Sequence, residues 1–167
     1  MWLLEYSFLA AAVTLPALAG AQSLTYPVGP PTERPLSRFS DCAANPTAYW
    51  VSQEFKNEDG HTGVDLAPCA SADSEVRAIA PGTIVNKYGA CPNGSCSLKS
   101  KCGLGGFGNF VLIKHQVNNT DYYALYAHLS AGSVTAKGIL KPVNSGEPIG
   151  KLGCTGKATA KHLHFAV

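Results

Sequence analysis

A chain of 167 residues is long enough for one domain with a real core and too short for two domains beside a leader. Apolar residues make up 46% and charged residues 14%, with 17 Gly and 11 Pro, which fits a turn-rich globular β protein and excludes extensive disorder. The net charge of +2 is spread thinly, densest at Lys99 and Lys101 with nothing stacked beside them, so nucleic acid is excluded as a partner and a mild bias towards anionic surroundings such as a cell wall remains.

The chain opens MWLLEYSFLAAAVTLPALAGAQS, with an apolar run from Phe8 to Ala19 and small residues at Ala19 and Ala21 in the A-x-A position of a signal-peptidase site. Residues 1–21 therefore read as a signal peptide of a secreted, periplasmic or cell-envelope protein. The run falls short of the roughly 20 apolar residues that span a bilayer, so no stable membrane insertion is expected after cleavage. From residue 22 to 48 the chain carries Pro27, Pro30, Pro31 and Pro35 with few large apolar residues, the mark of a Pro-rich linker or pro-segment. The folded domain is expected over residues 49–167.

Within it, strands are expected at Tyr49–Phe55, Gly63–Leu66, Glu75–Ile79, Gly82–Asn86, Asn109–Gln116, Tyr122–His128, Pro148–Leu152 and His162–Val167, separated by Gly, Pro and Asn turns. No amphipathic helix and no βαβ spacing interrupts them. The pattern predicts an all-β fold, an antiparallel sheet folded into a sandwich or open barrel, with loops forming a substrate groove. Two stretches are loops by composition, Cys91–Gly106 and Gly153–Lys161, the second leading straight into the last strand. The cysteines, Cys42, Cys69, Cys91, Cys96, Cys102 and Cys154, are an even set in an exported chain and predict disulfides, with the pairing open. The gaps between Cys91, Cys96 and Cys102 miss the tight knuckle of a structural zinc site.

Four of the 5 histidines fall in three short stretches, His61-Thr-Gly-Val-Asp65, Tyr126-Ala-His128-Leu and His162-Leu-His164. Imidazole and carboxylate together are common ligands of a catalytic zinc, which takes three protein groups and keeps its fourth position for water. His162 and His164 lie two apart on a strand, so both point to one face and either could reach one ion. His61 and Asp65 would stand about 13 Å apart on a straight strand, so the chain must bend between them, and Gly63 eases such a bend. His115, inside GNFVLIKHQV, reads as structural or solvent-facing.

Taken in order, HTGVDLAP, EVRAIAPGTIV, GGFGNFVLIKH, YALYAHLS and GEPIGKLGCTGKATAKHLHFAV make the region from Tyr49 to Val167 resemble the lysostaphin-type (LytM-like) zinc endopeptidases, which cut peptides of bacterial peptidoglycan. The resemblance implies that His61, Asp65 and His164 bind Zn2+, while His128 and His162 stay off the metal and act on the water and the tetrahedral intermediate. It also implies hydrolysis of a peptidoglycan peptide through a zinc-bound water, whose pKa such a cationic site lowers from 15.7 towards about 7. The chain departs from the family pattern in three places. HLHFA stands where HLHFE is common, so Ala166 replaces an acid; TAK replaces the usual small-Gly-Pro stretch before the histidine pair; and the Cys91–Cys102 segment is longer and richer in cysteine. The end at Val167, inside the last expected strand, reads as a domain trimmed at its C-terminus. The competing expectation is a non-catalytic LytM-like module that binds or regulates in the cell envelope, a role that usually goes with lost ligands, whereas all five positions are kept here.

Overall fold

The computed structural model describes residues 24–29, 33–56, 61–70, 74–93 and 96–167, and the signal peptide read from residues 1–21 lies outside them. Among the described residues nine strands follow in chain order: β1 (Tyr49–Gln53), β2 (Val64–Pro68), β3 (Glu75–Arg77), β4 (Gly82–Tyr88), β5 (Asn109–Val117), β6 (Thr120–Leu129), β7 (Pro142–Val143), β8 (Pro148–Lys151) and β9 (Leu163–Ala166). Seven form one antiparallel sheet in the order β1-β2-β9-β6-β5-β4-β7, and β3 pairs with β8 in a small second sheet. The only helical elements among the described residues are two short 3-10 turns, Phe39–Ala43 and Leu104–Gly106. The fold is thus the expected all-β one. Of the nine strands found among the described residues, β7 left no signal in the sequence, because two residues starting with Pro carry no alternation; it is held by its pairing with β4 and by burial of Val143 in the core.

Period-2 alternation explains which side of the large sheet is wet and which is dry. Leu66, Leu163 and Tyr126, on β2, β9 and β6, are all within 1% of full burial and pack with Ile84, Val111 and Ile113 of the same sheet against Val76, Ile149 and Leu152 from the β3–β8 region. The residues between them, Asp65 on β2 and His164 on β9, therefore face the other way. His115 lies on the buried side: its Nδ1 donates to Pro81 O at 3.1 Å and its Nε2 faces Tyr126 Oη at 3.3 Å, while Tyr126 Oη accepts from Ile79 N at 3.0 Å. It is a satisfied core histidine, so of the two readings its strand left open, structural or solvent-facing, the structural one holds.

The described residues of the Pro-rich stretch, 24–29 and 33–48, are laid along the domain. Val28 is 1% exposed and belongs to the core, Thr25 N donates to Ile79 O at 2.8 Å, and Leu36 exchanges hydrogen bonds with Tyr49 and Val51. Disulfides join Cys42 to Cys69, Cys91 to Cys102 and Cys96 to Cys154. The first ties the Pro-rich stretch to the end of β2; the other two pin the Cys91–Gly106 loop on itself and onto the loop before β9.

Candidate metal centre and its flanking histidines

The site grows out of one rung of the sheet. Asp65 and His164 are direct partners across the β2–β9 pair, so their side chains emerge side by side, and His164 Nδ1 lies 3.0 Å from Asp65 Oδ1. His61 reaches the same point from the turn before β2. Its Nε2 stands 2.9 Å from His164 Nδ1 and 3.1 Å from Asp65 Oδ1, while its Nδ1 donates to Glu54 O at 3.1 Å. The turn works because position 63 is glycine, although not for the backbone angles the sequence suggested: Gly63 is not among the residues with positive φ. A Cβ there would instead come within 2.5 Å of Phe165 O and 2.9 Å of the His164 ring, so the requirement is close approach of the turn to β9.

These three atoms fit a small cation. With His61 Nδ1 donating to Glu54, a neutral His61 turns a lone pair inward, and Asp65 Oδ1 has only lone pairs to offer. His164 Nδ1 can place one proton against one of them, and then His164 Nε2, buried and without a partner, is left as an orphaned acceptor; in the other tautomer three lone pairs converge and the orphan is a donor. Either way two acceptors face each other at close range with no proton between them, an arrangement a cation resolves. Ligand atoms about 2.0–2.1 Å from a tetrahedral zinc lie about 3.3–3.4 Å apart, and the 2.9–3.1 Å triangle is one face of such a tetrahedron, drawn in by a few tenths. Burial alone would raise the Asp65 carboxyl, but its hydrogen bond with His164 and the positive charge available on His162 and His61 outweigh that and hold it below the usual carboxylate range.

His162 and His128 flank the triangle. His162 shares the face of His164, as the two-residue spacing required; its Nε2 lies 3.3 Å from Asp65 Oδ2 and its Nδ1 donates to Ala160 O at 2.9 Å. The His128 ring sits 4.8 Å from that of His162 and 5.9 Å from that of His164, centroid to centroid. Its Nδ1 donates to Thr155 O at 2.8 Å, which leaves Nε2 as the acceptor. Burial, reinforced by the neighbouring His162, pushes the His128 imidazole down to about 4, so at neutral pH it is uncharged.

Straight alternation would have put His128 on the wrong side. Ala127 is the register partner of His164 and shares its face, so the next residue on a regular strand points into the core. Between the pairs Val111–Tyr126 and Asn109–Leu129, however, β5 contributes one residue and β6 two, which is a β-bulge at Ala127 and His128. His128 takes φ 61°, and the bulge swings its ring onto the face of the other three imidazoles. All five residues singled out from the sequence thus converge, and His115 does not. No residue type announced the groups that act through their backbone, the carbonyls of Glu54, Ala160 and Thr155, since any residue can supply a carbonyl.

An antiparallel sheet thus carries a histidine–carboxylate cluster able to hold a metal ion, with two further imidazoles beside it. The chain belongs to Peptidase family M23, whose pattern matches residues 59–167. Among its relatives are a DD-carboxypeptidase/endopeptidase Mpg of Neisseria meningitidis serogroup B, 41% identical over 63% of this chain and 19% of that protein, and a murein hydrolase activator NlpD of Salmonella dublin, 30% identical over 93% of this chain and 35% of that protein. The chain spans about a fifth to a third of the length of these relatives. Among solved structures, the catalytic domain of the antimicrobial peptidase lysostaphin from Staphylococcus simulans is 27% identical, with 67% of this chain and 70% of that one aligned and a TM-score of 0.45.

Proposed function

We propose that this protein is an exported zinc-dependent endopeptidase that hydrolyses peptide bonds in bacterial peptidoglycan cross-links, with His61, Asp65 and His164 as metal ligands and His128 and His162 as the catalytic pair. The observation that carries the reading is the triangle of three donor atoms 2.9–3.1 Å apart with two more imidazoles at its edge. Zinc held by that triangle supplies Lewis-acid activation of water and of the scissile carbonyl. The rest is done by the chain itself. His128, neutral and with Nε2 unprotonated, is suited to accept the proton of the attacking water. His162, with Nδ1 anchored on Ala160 O and Nε2 beside Asp65, is suited in its protonated form to stabilise the oxyanion and hand a proton to the leaving amine. The Phe107 ring packs beside the centre, 5.7 Å from that of His164.

The leader read from the sequence, the disulfides, and relatives named a DD-carboxypeptidase/endopeptidase and a murein hydrolase activator support export to the cell envelope. No helix among the described residues is long and apolar enough to cross a membrane. The second reading, a module that binds or regulates without cutting, has the activator's 93% coverage of this chain in its favour. Purified protein loaded with zinc and incubated with peptidoglycans of different cross-link types separates the two: new amine termini in the product masses are expected, and intact sacculi with bound, unprocessed protein would favour the regulatory reading.

A further inference from the structure

Thr155 lies in the loop before β9 and is 1% exposed, and its side chain is aimed at the bulge that carries His128. Its Oγ1 accepts from Asn109 N at 2.9 Å and donates to Leu129 O at 2.7 Å. Asn109 and Leu129 are register partners, the end pair of the β5–β6 ladder, just beyond the extra residue of β6. One hydroxyl therefore satisfies a donor on one strand and an acceptor on the other at the rung where the bulge disturbs the pairing. The carbonyl of the same residue receives His128 Nδ1–H. Gly108 permits this, because a Cβ there would lie 2.5 Å from Thr155 Oγ1, and Gly153 lets the loop pass His128 O, which a Cβ would approach to 2.7 Å.

His128 needs such support. A non-glycine residue at φ 61° is strained and persists only where its surroundings over-determine it. Here His128 N donates to Phe107 O at 2.9 Å, the ring is held by Thr155 O, and the next residue's carbonyl is held by Thr155 Oγ1. Asn109 completes the frame: its side-chain amide accepts from Cys91 N at 2.8 Å and donates to Cys91 O at 3.0 Å, fixing the strand end from which Asn109 N–H reaches the hydroxyl.

We infer that Thr155 is a positioning residue for His128: its hydroxyl holds the β6 bulge open and its carbonyl fixes the His128 tautomer, so that Nε2 presents its lone pair to the site. The inference rests on the catalytic role proposed for His128. Thr155→Val keeps the shape and removes the hydroxyl; Thr155→Ser keeps the hydroxyl and removes the methyl; Thr155→Ala serves in place of the valine variant if that one does not melt cooperatively. With zinc content, turnover of a peptidoglycan-derived peptide and the 15N shifts of the His128 ring as readouts, Thr155→Val should retain zinc and leave KM nearly unchanged while kcat falls about 10–100-fold, the scale of a catalytic group displaced by a fraction of an ångström to an ångström. Thr155→Ser should recover kcat to within roughly threefold, and adding Thr155→Val to His128→Ala should cost about nothing more. Equal losses in the Ser and Val variants, or a full further loss in the double variant, would overturn the inference. If the wild-type protein hydrolyses nothing, the proposed function falls instead, and the ring shifts alone decide: the wild type and Thr155→Ser should show a protonated Nδ1 and bare Nε2, Thr155→Val a mixture, and identical shifts in all three would refute the positioning role.

Discussion

The two halves of the site are held in place by different means. The His61–Asp65–His164 triangle is anchored by sheet register: Asp65 and His164 form one rung of β2 and β9, strands in the middle of a seven-stranded sheet, and only His61 comes from a turn. His128 and His162 depend on the loop between β8 and β9, whose Thr155 and Ala160 carbonyls hold their Nδ1 atoms, and His128 depends on a bulge besides. A rung cannot shift without turning every side chain of the strand to the other face, whereas a loop can move while the sheet stays intact. Metal affinity and turnover should therefore be separable.

The largest effect tests the triangle. Replacing His61, Asp65 or His164 singly with Ala should release most of the zinc, read by elemental analysis, and abolish hydrolysis with it. Next, His128→Ala and His162→Ala should keep near-stoichiometric zinc and lower turnover by about 10²–10⁴, the range of a positioned acid or base. The sharper case is His162, which shares its face with His164 and stands 3.3 Å from Asp65. If His162→Ala loses the metal and His164→Ala keeps it, the two roles are exchanged.

A smaller effect comes from loosening the loop alone. Cys96→Ser with Cys154→Ser unpins the loop one residue before Thr155. Thermal stability should fall, by about 2–4 kcal/mol as for a typical disulfide. Turnover should fall by roughly tenfold while zinc is retained. Loss of zinc in parallel with turnover would show that the loop holds the triangle as well.

The smallest effect lies outside both halves and serves as a reference for pH work. Burial pushes the His115 imidazole below its ordinary value, so on acidification the unfolded chain takes up a proton there before the folded protein does. That contribution to stability is complete above the unfolded pKa of about 6.5 and declines as pH falls from there towards the lowered folded value. His115→Gln, measured by thermal melts between about pH 7 and 5, should flatten this part of the stability profile without changing zinc content. An unchanged slope would place the acid sensitivity elsewhere.

Most of this was legible early because histidines are scarce and strands have a fixed period. Four of 5 histidines in three stretches marked the site before any fold was known, and the i, i+2 spacing of His162 and His164 put both on one face, as observed. Residue types carried that much. They did not carry the reason for Gly63, which is the passage of a turn against the β9 backbone, nor the β7 edge, nor the course of the Pro-rich stretch, where Val28 enters the core through contacts with residues some fifty positions away.

The sequence by itself determined the all-β class and singled out His61, Asp65, His128, His162 and His164 as candidates, because hydrophobic alternation and ligand-type side chains are written in the residues. Only the tertiary structure decided which cysteines pair, that Asp65 and His164 share a rung, and that His128 reaches the site at all. Strict alternation along β6 assigns His128 to the core. An extra residue in one strand, a hydroxyl from a loop 27 positions further on and a left-handed backbone angle turn it to the other face. Such a reversal cannot be read locally, because a bulge is a property of two strands in register and not of either one alone.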